Sequence, residues 1–261
     1  MKKLILSIAA GLAFAQAANA EVNVQDIITK AEKAAYYAGN DGSAEARMMI
    51  VDAQGRKQLR QFTILRKDVE DNGDQRMIVF FSRPTDVKDT VFRVEKHTDA
   101  SQDDDRWLYL PALDLVKRIS AGDKRTSFVG SHFFYEDVSG RAVTEDNFTL
   151  ESEDDQFYVL KGVPKNPSSV EFTHYVASID KSTFLPMQIN FYKNDKNYRK
   201  VETVQVEEIG GFPTVLRSKV SDLETGGYTL MEFRNIKYDI DLPDSVFSER
   251  SLRTPPKEWL K

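Results

Sequence analysis

Few residues of this chain have the type and spacing that catalysis needs. The three histidines, His97, His132 and His174, lie far apart in the sequence, whereas zinc ligands usually come in close pairs. The chain has no Gly-x-Ser-x-Gly motif, and Ser131 cannot use His132 as its base because adjacent residues of a strand point to opposite faces. The run 103–105 is acidic but lacks the alternation and the glycine of a calcium loop. We therefore predict no catalytic residue, no metal, no other cofactor and no enzyme activity.

A different chemistry is concentrated between residues 105 and 137, where aromatic and basic residues occur together. The stretch reads Asp105-Arg-Trp-Leu-Tyr-Leu-Pro111, then Lys117-Arg-Ile-Ser120, then Ser127-Phe-Val-Gly-Ser-His-Phe-Phe-Tyr-Glu-Asp137. An aromatic wall beside guanidinium and ammonium groups suits an amphiphile, because the wall shelters apolar chains from water and the cations attract an anionic head group. The alternative is structural: the aromatic residues fill the core and the cations face water.

The elements that position this segment begin with one amphipathic helix. Apolar residues recur at helical spacing over 24–38. Asn23 suits the N-cap of this helix, and Gly39 suits its end. The apolar face is rich in alanine, including Ala31 and Ala35, so it leaves room beside the helix that leucine would fill.

The chain after this helix reads almost entirely as antiparallel strand. Polar and apolar residues alternate in segments such as 186–192 and 198–209, and turns rich in Asp, Asn, Gly or Pro separate the segments. An open sheet of more than about ten strands usually curls, so we predict a mainly β (α+β) fold with a curved antiparallel sheet of about 11 strands. This sheet is expected to form a half-open barrel around the N-terminal helix, with a short helical lid near 128–137.

The amino terminus and the composition indicate the compartment. Lys2 and Lys3 precede an apolar run, and Ala18-Asn-Ala20 resembles a signal-peptidase site. We predict a cleavable signal peptide over 1–20 and a single domain over 21–261 in the periplasm. Cysteine is absent, so the signal is not that of a lipoprotein and the fold does without disulfides. The net charge of −5 argues against nucleic acid and predicts only transient contact with membranes.

Two segments resemble the LolA-like family of outer-membrane lipoprotein-sorting proteins. The first reads Arg106-Trp-Leu-Tyr-Leu-Pro-Ala-Leu113, then Arg118-Ile, then Ser127-Phe-x-Gly-Ser-x-Phe-x-Tyr-Glu-Asp137, and the second reads Leu242-Pro-Asp-Ser-Val-Phe-Ser-Glu-Arg-Ser-Leu252. The resemblance covers essentially all of 21–261. It implies the LolA/LolB fold, in which a helical lid covers an apolar cavity in an incomplete barrel. It also implies a periplasmic carrier of lipid or lipoprotein acyl chains that needs no cofactor and, in longer members, assists an inner-membrane RND-type exporter.

We therefore predict a carrier that binds acyl chains in a cavity on the order of several hundred Å³ and shuttles them towards the outer membrane. The alternative is an envelope-stress sensor of the same fold that binds a membrane-protein partner. For the cavity wall we expect Phe62, Ile64, Ile78, Phe80, Trp107, Tyr109, Phe133, Phe134, Met187, Ile189 and Phe191. For the head group we expect Arg106, Arg118 and Arg125. These assignments depend on strand register, because a shift of one residue moves every side chain to the other face.

Overall fold

One antiparallel sheet of 13 strands organises the chain. The computed structural model describes residues 23–70, 73–99 and 101–260, so the predicted signal peptide over 1–20 lies outside the described part. The strands are β1 Asp41–Val51, β2 Lys57–Asp68, β3 Gln75–Arg83, β4 Val91–Lys96, β5 Asp105–Leu110, β6 Leu115–Ile119, β7 Asp146–Glu153, β8 Phe157–Pro164, β9 His174–Asp180, β10 Pro186–Lys193, β11 Lys196–Ile209, β12 Phe212–Asp222 and β13 Tyr228–Tyr238.

The first and last strands meet in the middle of this sheet. The order is β6-β5-β4-β3-β2-β1-β13-β12-β11-β10-β9-β8-β7, and β1 pairs with β13 from Gly42 opposite Tyr238 to Val51 opposite Tyr228. Strands β6 and β7 are the free edges, so the sheet is an open half-barrel. This confirms the predicted architecture, with more strands than the 11 expected.

Strand β6 is the element that the sequence pattern did not predict. Lys117 and Arg118 interrupt its polar and apolar alternation, and only one neighbouring strand pairs with it. An edge strand of five residues tolerates exposed charges because one of its sides faces water.

Three α-helices are present in the described residues: α1 Val24–Tyr36, α2 Tyr135–Ser139 and α3 Arg250–Arg253. The predicted N-cap of α1 is confirmed, because the Asp26 backbone N–H donates to Asn23 Oδ1 at 3.2 Å. None of the described helices is long and apolar enough to cross a membrane.

The register divides the apolar residues between two faces of the sheet. The inner face carries Met48 and Phe62 and is covered by α1 and by residues 120–145, which we call the lid segment. The outer face carries Leu65 and Ile78 and is covered by the C-terminal residues 242–260, including Phe247. Each face therefore has its own hydrophobic core.

Candidate functional site

A cavity of about 360 Å³ lies between the inner face, α1 and the lid segment. Its volume is within the range of sites that bind small molecules. Apolar side chains from strands on both sides of the sheet centre line it, including Ile64, Met77, Ile189, Val201, Phe233 and Ile236. Several of these side chains remain partly exposed, because no other part of the described chain fills the space in front of them.

Alanines at the C-terminal end of α1 explain why the space exists. Ala34 and Ala35 of α1, and Ala38 just after it, line this side of the cavity, and each presents only a methyl group. In contrast, the first turns of α1 are closely packed, because Ile27 and Ala31 belong to a core cluster that contains Leu160, Ala177 and Ile179. The cavity therefore begins where the larger apolar residues of α1 end.

The C-terminal end of α1 is fixed by hydrogen bonds to its carbonyl groups. Arg66 Nη2 donates to the carbonyl oxygens of Ala38 at 2.5 Å and Gly39 at 2.8 Å. Gln75 Nε2 donates to the Tyr36 carbonyl oxygen at 2.9 Å. A cation at this position also interacts favourably with the negative end of the helix dipole.

The lid segment is inserted into the inner core by aromatic side chains. Phe128 has no exposed surface (0%), and its ring centroid lies 5.5 Å from those of Phe92 and Tyr135 and 5.7 Å from that of Phe81. Helix α2 lies within the lid segment, which confirms the predicted short helix near 128–137.

A buried ion cluster surrounds Glu136 of the lid segment, which is 2% exposed. Its carboxylate lies 3.1 Å from Arg141 Nη1 and 3.4 Å from Lys124 Nζ, and it also pairs with Arg125. Burial raises the pKa of Glu136, but the three cations outweigh burial and hold this pKa below its usual value. Arg141 continues the cluster to Asp146 on β7 at 2.8 Å.

Arg125 extends the same cluster to the connection between β8 and β9. Its guanidinium lies 2.8 Å from the Glu171 carboxylate and is stacked 4.8 Å from the ring centroid of Phe172. The Tyr198 hydroxyl donates to Glu171 at 2.9 Å. Burial opposes ionisation of Glu171, but these partners lower its pKa to about 2.

The structure brings together some of the residues predicted for the cavity wall. Five of them line the cavity: Phe62, Ile64, Phe133, Ile189 and Phe191. Four lie on the outer face against the C-terminal residues: Ile78, Phe80, Trp107 and Tyr109. The register explains this division, because β3 places Val79 opposite Ile64 and Phe81 opposite Phe62. The side chains of the neighbouring Ile78 and Phe80 therefore point away from the cavity.

The two remaining wall predictions lie elsewhere. Phe134 packs beneath the guanidinium groups of Arg125 and Arg199, whose centres lie 4.9 and 4.3 Å from its ring centroid. Met187 lies at a register shift between Pro186 and Gln188 on β10. Neither residue is among those that line the cavity.

The three predicted head-group arginines are separated and ion-paired. Arg106 is 2% exposed and bonded to Asp104 and Ser139. Arg118 is exposed and pairs with Asp105, whereas Arg125 is buried in the ion cluster. The lipid-binding role of all 14 residues stays a prediction. Sequence reasoning missed Val201 and Phe233, which only the strand register places at the cavity.

A second hollow of about 520 Å³ is polar and lies between the β4–β5 turn and the lid segment. His97 borders it, with Nδ1 3.0 Å from Asp74 and Nε2 3.6 Å from Asp105. Burial lowers the pKa of His97, but the hydrogen bonds and charges of the two carboxylates raise it above its usual value. Among the described residues, no group of three or more His, Cys, Asp or Glu could hold a metal ion.

An open antiparallel half-barrel with a helix and a lid over an apolar cavity defines the LolA-like fold, and comparison with solved structures confirms this. A LolA superfamily protein from Nitrosomonas europaea superposes with a TM-score of 0.67 at 20% identity, covering 88% of this chain and 99% of that one. A protein domain from Vibrio parahaemolyticus, described as involved in outer membrane lipoprotein sorting, has a TM-score of 0.76 at 25% identity over 88% of this chain and 96% of its own.

The family follows from two further matches. A DUF1329 family protein from Desulfovibrio piger is 30% identical, with a TM-score of 0.80 over 87% of this chain and 96% of its own. A family model described only as "uncharacterized protein" matches residues 73–254. The chain belongs to the DUF1329 family. A comparison with curated proteins finds no match.

Proposed function

We propose that the protein is a periplasmic carrier that holds the acyl chains of a lipid or lipoprotein in the 360 Å³ cavity and carries them towards the outer membrane. The observation that carries this proposal is the apolar hollow itself. Folded proteins normally fill their interiors to the density of organic crystals. A roofed hollow whose apolar wall is still partly accessible therefore favours a function in binding apolar groups.

The hydrophobic effect supplies the affinity. Each methylene that leaves water for the cavity contributes about 0.8 kcal/mol, and this gain is reduced by the cost of ordering the chain. The Vibrio domain, which is described as involved in outer membrane lipoprotein sorting, supports a cargo of this class. The predicted signal peptide supports the periplasm as the compartment.

The charges at the cavity indicate where the head group of the cargo lies. Arg66, Asp137 and Lys237 are the charged residues that line the cavity in the described part of the chain. Lys237 is exposed, whereas Arg66 and Asp137 are already bonded within the protein. Arg66 is bonded to Asp68 and to the end of α1, and Asp137 is paired with Arg199. We infer that the protein recognises the acyl chain and leaves the head group in water at the mouth. An RND-type exporter as donor or acceptor stays a prediction from the family resemblance.

A competition experiment tests the carrier proposal. A fluorescent fatty acid should bind saturably to the purified protein, and hexadecanoic acid and hexadecanol should displace it with affinities within about tenfold of each other, which is about 1.4 kcal/mol. Strong displacement by the acid alone would show that a cation of the protein binds the carboxylate head group. The absence of saturable binding would contradict the carrier proposal.

Two valines on β11 provide a matched pair of variants. Val201 lines the cavity, whereas Val204 is 50% exposed and is not among the lining residues. Val201→Gln should weaken binding of the fluorescent fatty acid because it places an amide in the apolar wall. Val204→Gln should leave binding unchanged. Equal effects of the two substitutions would place the bound probe outside this cavity.

A further inference from the structure

Two elements roof the cavity, and they differ in how firmly they are attached. The lid segment is held to its surroundings by ion pairs of largely buried arginines. Within the segment, Glu136 pairs with Arg125 and Arg141. These arginines pair in turn with Glu171, in the connection between β8 and β9, and with Asp146 on β7. Separating such a pair is unfavourable because it leaves uncompensated charges away from water. Opening the lid would separate Arg125 from Glu171 and would also expose Phe128.

The lid segment has further attachments at its centre. His132 donates its backbone N–H to Thr229 Oγ1 on β13 at 3.0 Å, and Asp137 pairs with Arg199 on β11. Phe134 packs against the guanidinium groups of Arg125 and Arg199. Phe128 packs on Phe81 of β3 and Phe92 of β4 in the other half of the sheet, so the lid segment is held by both halves.

The seam between α1 and the lid segment is also closed. Gly140 has φ +84°, and a Cβ atom there would lie 2.9 Å from Lys96 Nζ and 3.1 Å from the Tyr36 ring. Lys96 is 4% exposed and lies 3.4 Å from the Ser139 carbonyl oxygen and 3.9 Å from the Glu32 carboxylate. No acyl chain can pass between these atoms without breaking the seam.

The opposite side of α1 has no comparable attachment. With 3.6 residues per turn, Ala34 lies on the side of the helix away from Glu32. Together with Ala38, Pro213 and Tyr238 it bounds the cavity. Within the described ranges, no hydrogen bond or ion pair joins α1 to β12 or β13. A link lies just beyond both elements, where the Asn40 N–H donates to Asp239 Oδ1 at 2.7 Å.

Exposure marks the mouth of the cavity. Ala35 follows Ile28 and Ala31 on the apolar stripe of α1, yet it is exposed and lines the cavity. The methyl groups of Ala34 and Ala35 can separate from half-buried side chains without loss of a polar contact. From these observations we propose that the cargo passes between α1 and strands β12–β13 while the lid segment stays closed. This inference rests on the proposed carrier function and specifies the route into the cavity.

A reversible crosslink tests whether the lid must open. The chain contains no cysteine, so the double variant His132→Cys/Thr229→Cys can form only one intramolecular disulfide, between the lid segment and β13. Stopped-flow association of a fluorescent fatty acid should be the same in the oxidised and reduced forms, within about twofold. Association that oxidation blocks and reduction restores would overturn the route proposed here.

A second pair of variants tests the route directly. Ala35→Trp should slow association of the probe at least about tenfold, because the indole occupies the mouth. Thr29→Trp, on the exposed side of the same helix, should leave the rate unchanged. Equal rates in both variants would overturn the proposal.

Wild-type protein separates the failure of this inference from the failure of the carrier function. Absence of saturable probe binding to the wild type would refute the carrier function and the route together. Normal binding that depends on lid opening would refute the route alone. If the double cysteine variant does not fold, the route can be tested on the wild type. Amide hydrogen exchange is then measured while the fluorescent fatty acid binds and dissociates. Faster exchange in α1 supports the route, and faster exchange over 124–137 contradicts it.

Discussion

Replacing Arg125 and Arg118 separately by methionine tests whether the basic residues of the central segment are structural. Methionine keeps much of the apolar stem of arginine and removes the charge. The Arg125 side chain is 7% exposed and pairs with Glu136 and Glu171. The Arg118 side chain is 67% exposed and pairs with Asp105. The two substitutions thus remove the same group from opposite environments.

The expected magnitudes differ severalfold. Arg125→Met leaves Glu136 with two cations and removes the cation from Glu171, so it should lower the free energy of unfolding by about 3–5 kcal/mol. For a chain of this size this corresponds to a fall of roughly 10 °C in the melting temperature. Arg118→Met removes an exposed pair and should cost at most about 1 kcal/mol.

Urea denaturation of both variants, together with titration by a fluorescent fatty acid, measures stability and binding separately. We expect a large loss of stability for Arg125→Met alone, and unchanged probe affinity for Arg118→Met. A stable Arg125→Met variant that no longer binds the probe would show that this guanidinium serves a head group. Equal losses of stability in the two variants would refute the reasoning from burial.

Three further predictions follow from the packing of α1 and from the polar residues. Ala31→Trp should lower the free energy of unfolding by about 1–3 kcal/mol, because the surroundings of Ala31 are closely packed. Ala34→Trp should instead keep the melting temperature and weaken binding of the fluorescent fatty acid, because the Ala34 methyl group faces the cavity. Gly140→Ala should cost more than about 1 kcal/mol, because φ is +84° and the seam leaves no room for a methyl group; thermal denaturation checks this. Because the pKa of His97 is raised on folding, its contribution to stability is present below its unfolded pKa of about 6.5 and is lost as the pH rises through the folded pKa. The wild type should therefore have a higher free energy of unfolding than His97→Gln, and urea denaturation should show a larger difference at about pH 5.5 than at about pH 8.5.

Much of the fold was predictable because local patterns determine it. The helical spacing of apolar residues and the cap residue Asn23 predicted α1 to within two residues of its end at Tyr36. Alternation and turn residues predicted most of the sheet. Strand β6 was missed because Lys117 and Arg118 make an edge strand resemble a loop.

The cavity was less predictable because strand register determines it. Alternation shows that Ile78 and Val79 point to different faces, but it does not show which face meets α1. That choice depends on the pairing of β2 with β3, which places Val79 opposite Ile64. A second obstacle was the C-terminal segment, which buries apolar residues of the outer face around Phe247, so that both faces of β3 are apolar.

The arginines show a similar limit. A basic residue within an aromatic segment suits a head-group site and a buried ion pair equally well. Only the fold brings Glu136 and Glu171, which are distant from each other in the sequence, to the guanidinium of Arg125. The partner, and not the residue type, therefore distinguishes the two roles.

Photolabelling with a diazirine-bearing fatty acid tests the central claim most directly. The label reacts with whatever lies beside the bound chain, and peptide mass spectrometry identifies the labelled residues. We expect labelling that unlabelled hexadecanoic acid suppresses, on peptides that contain Ile64, Ile189 and Phe233 of the cavity wall. Labelling of Trp107 and the outer face instead, or labelling that the competitor does not suppress, would contradict a cavity that carries acyl chains.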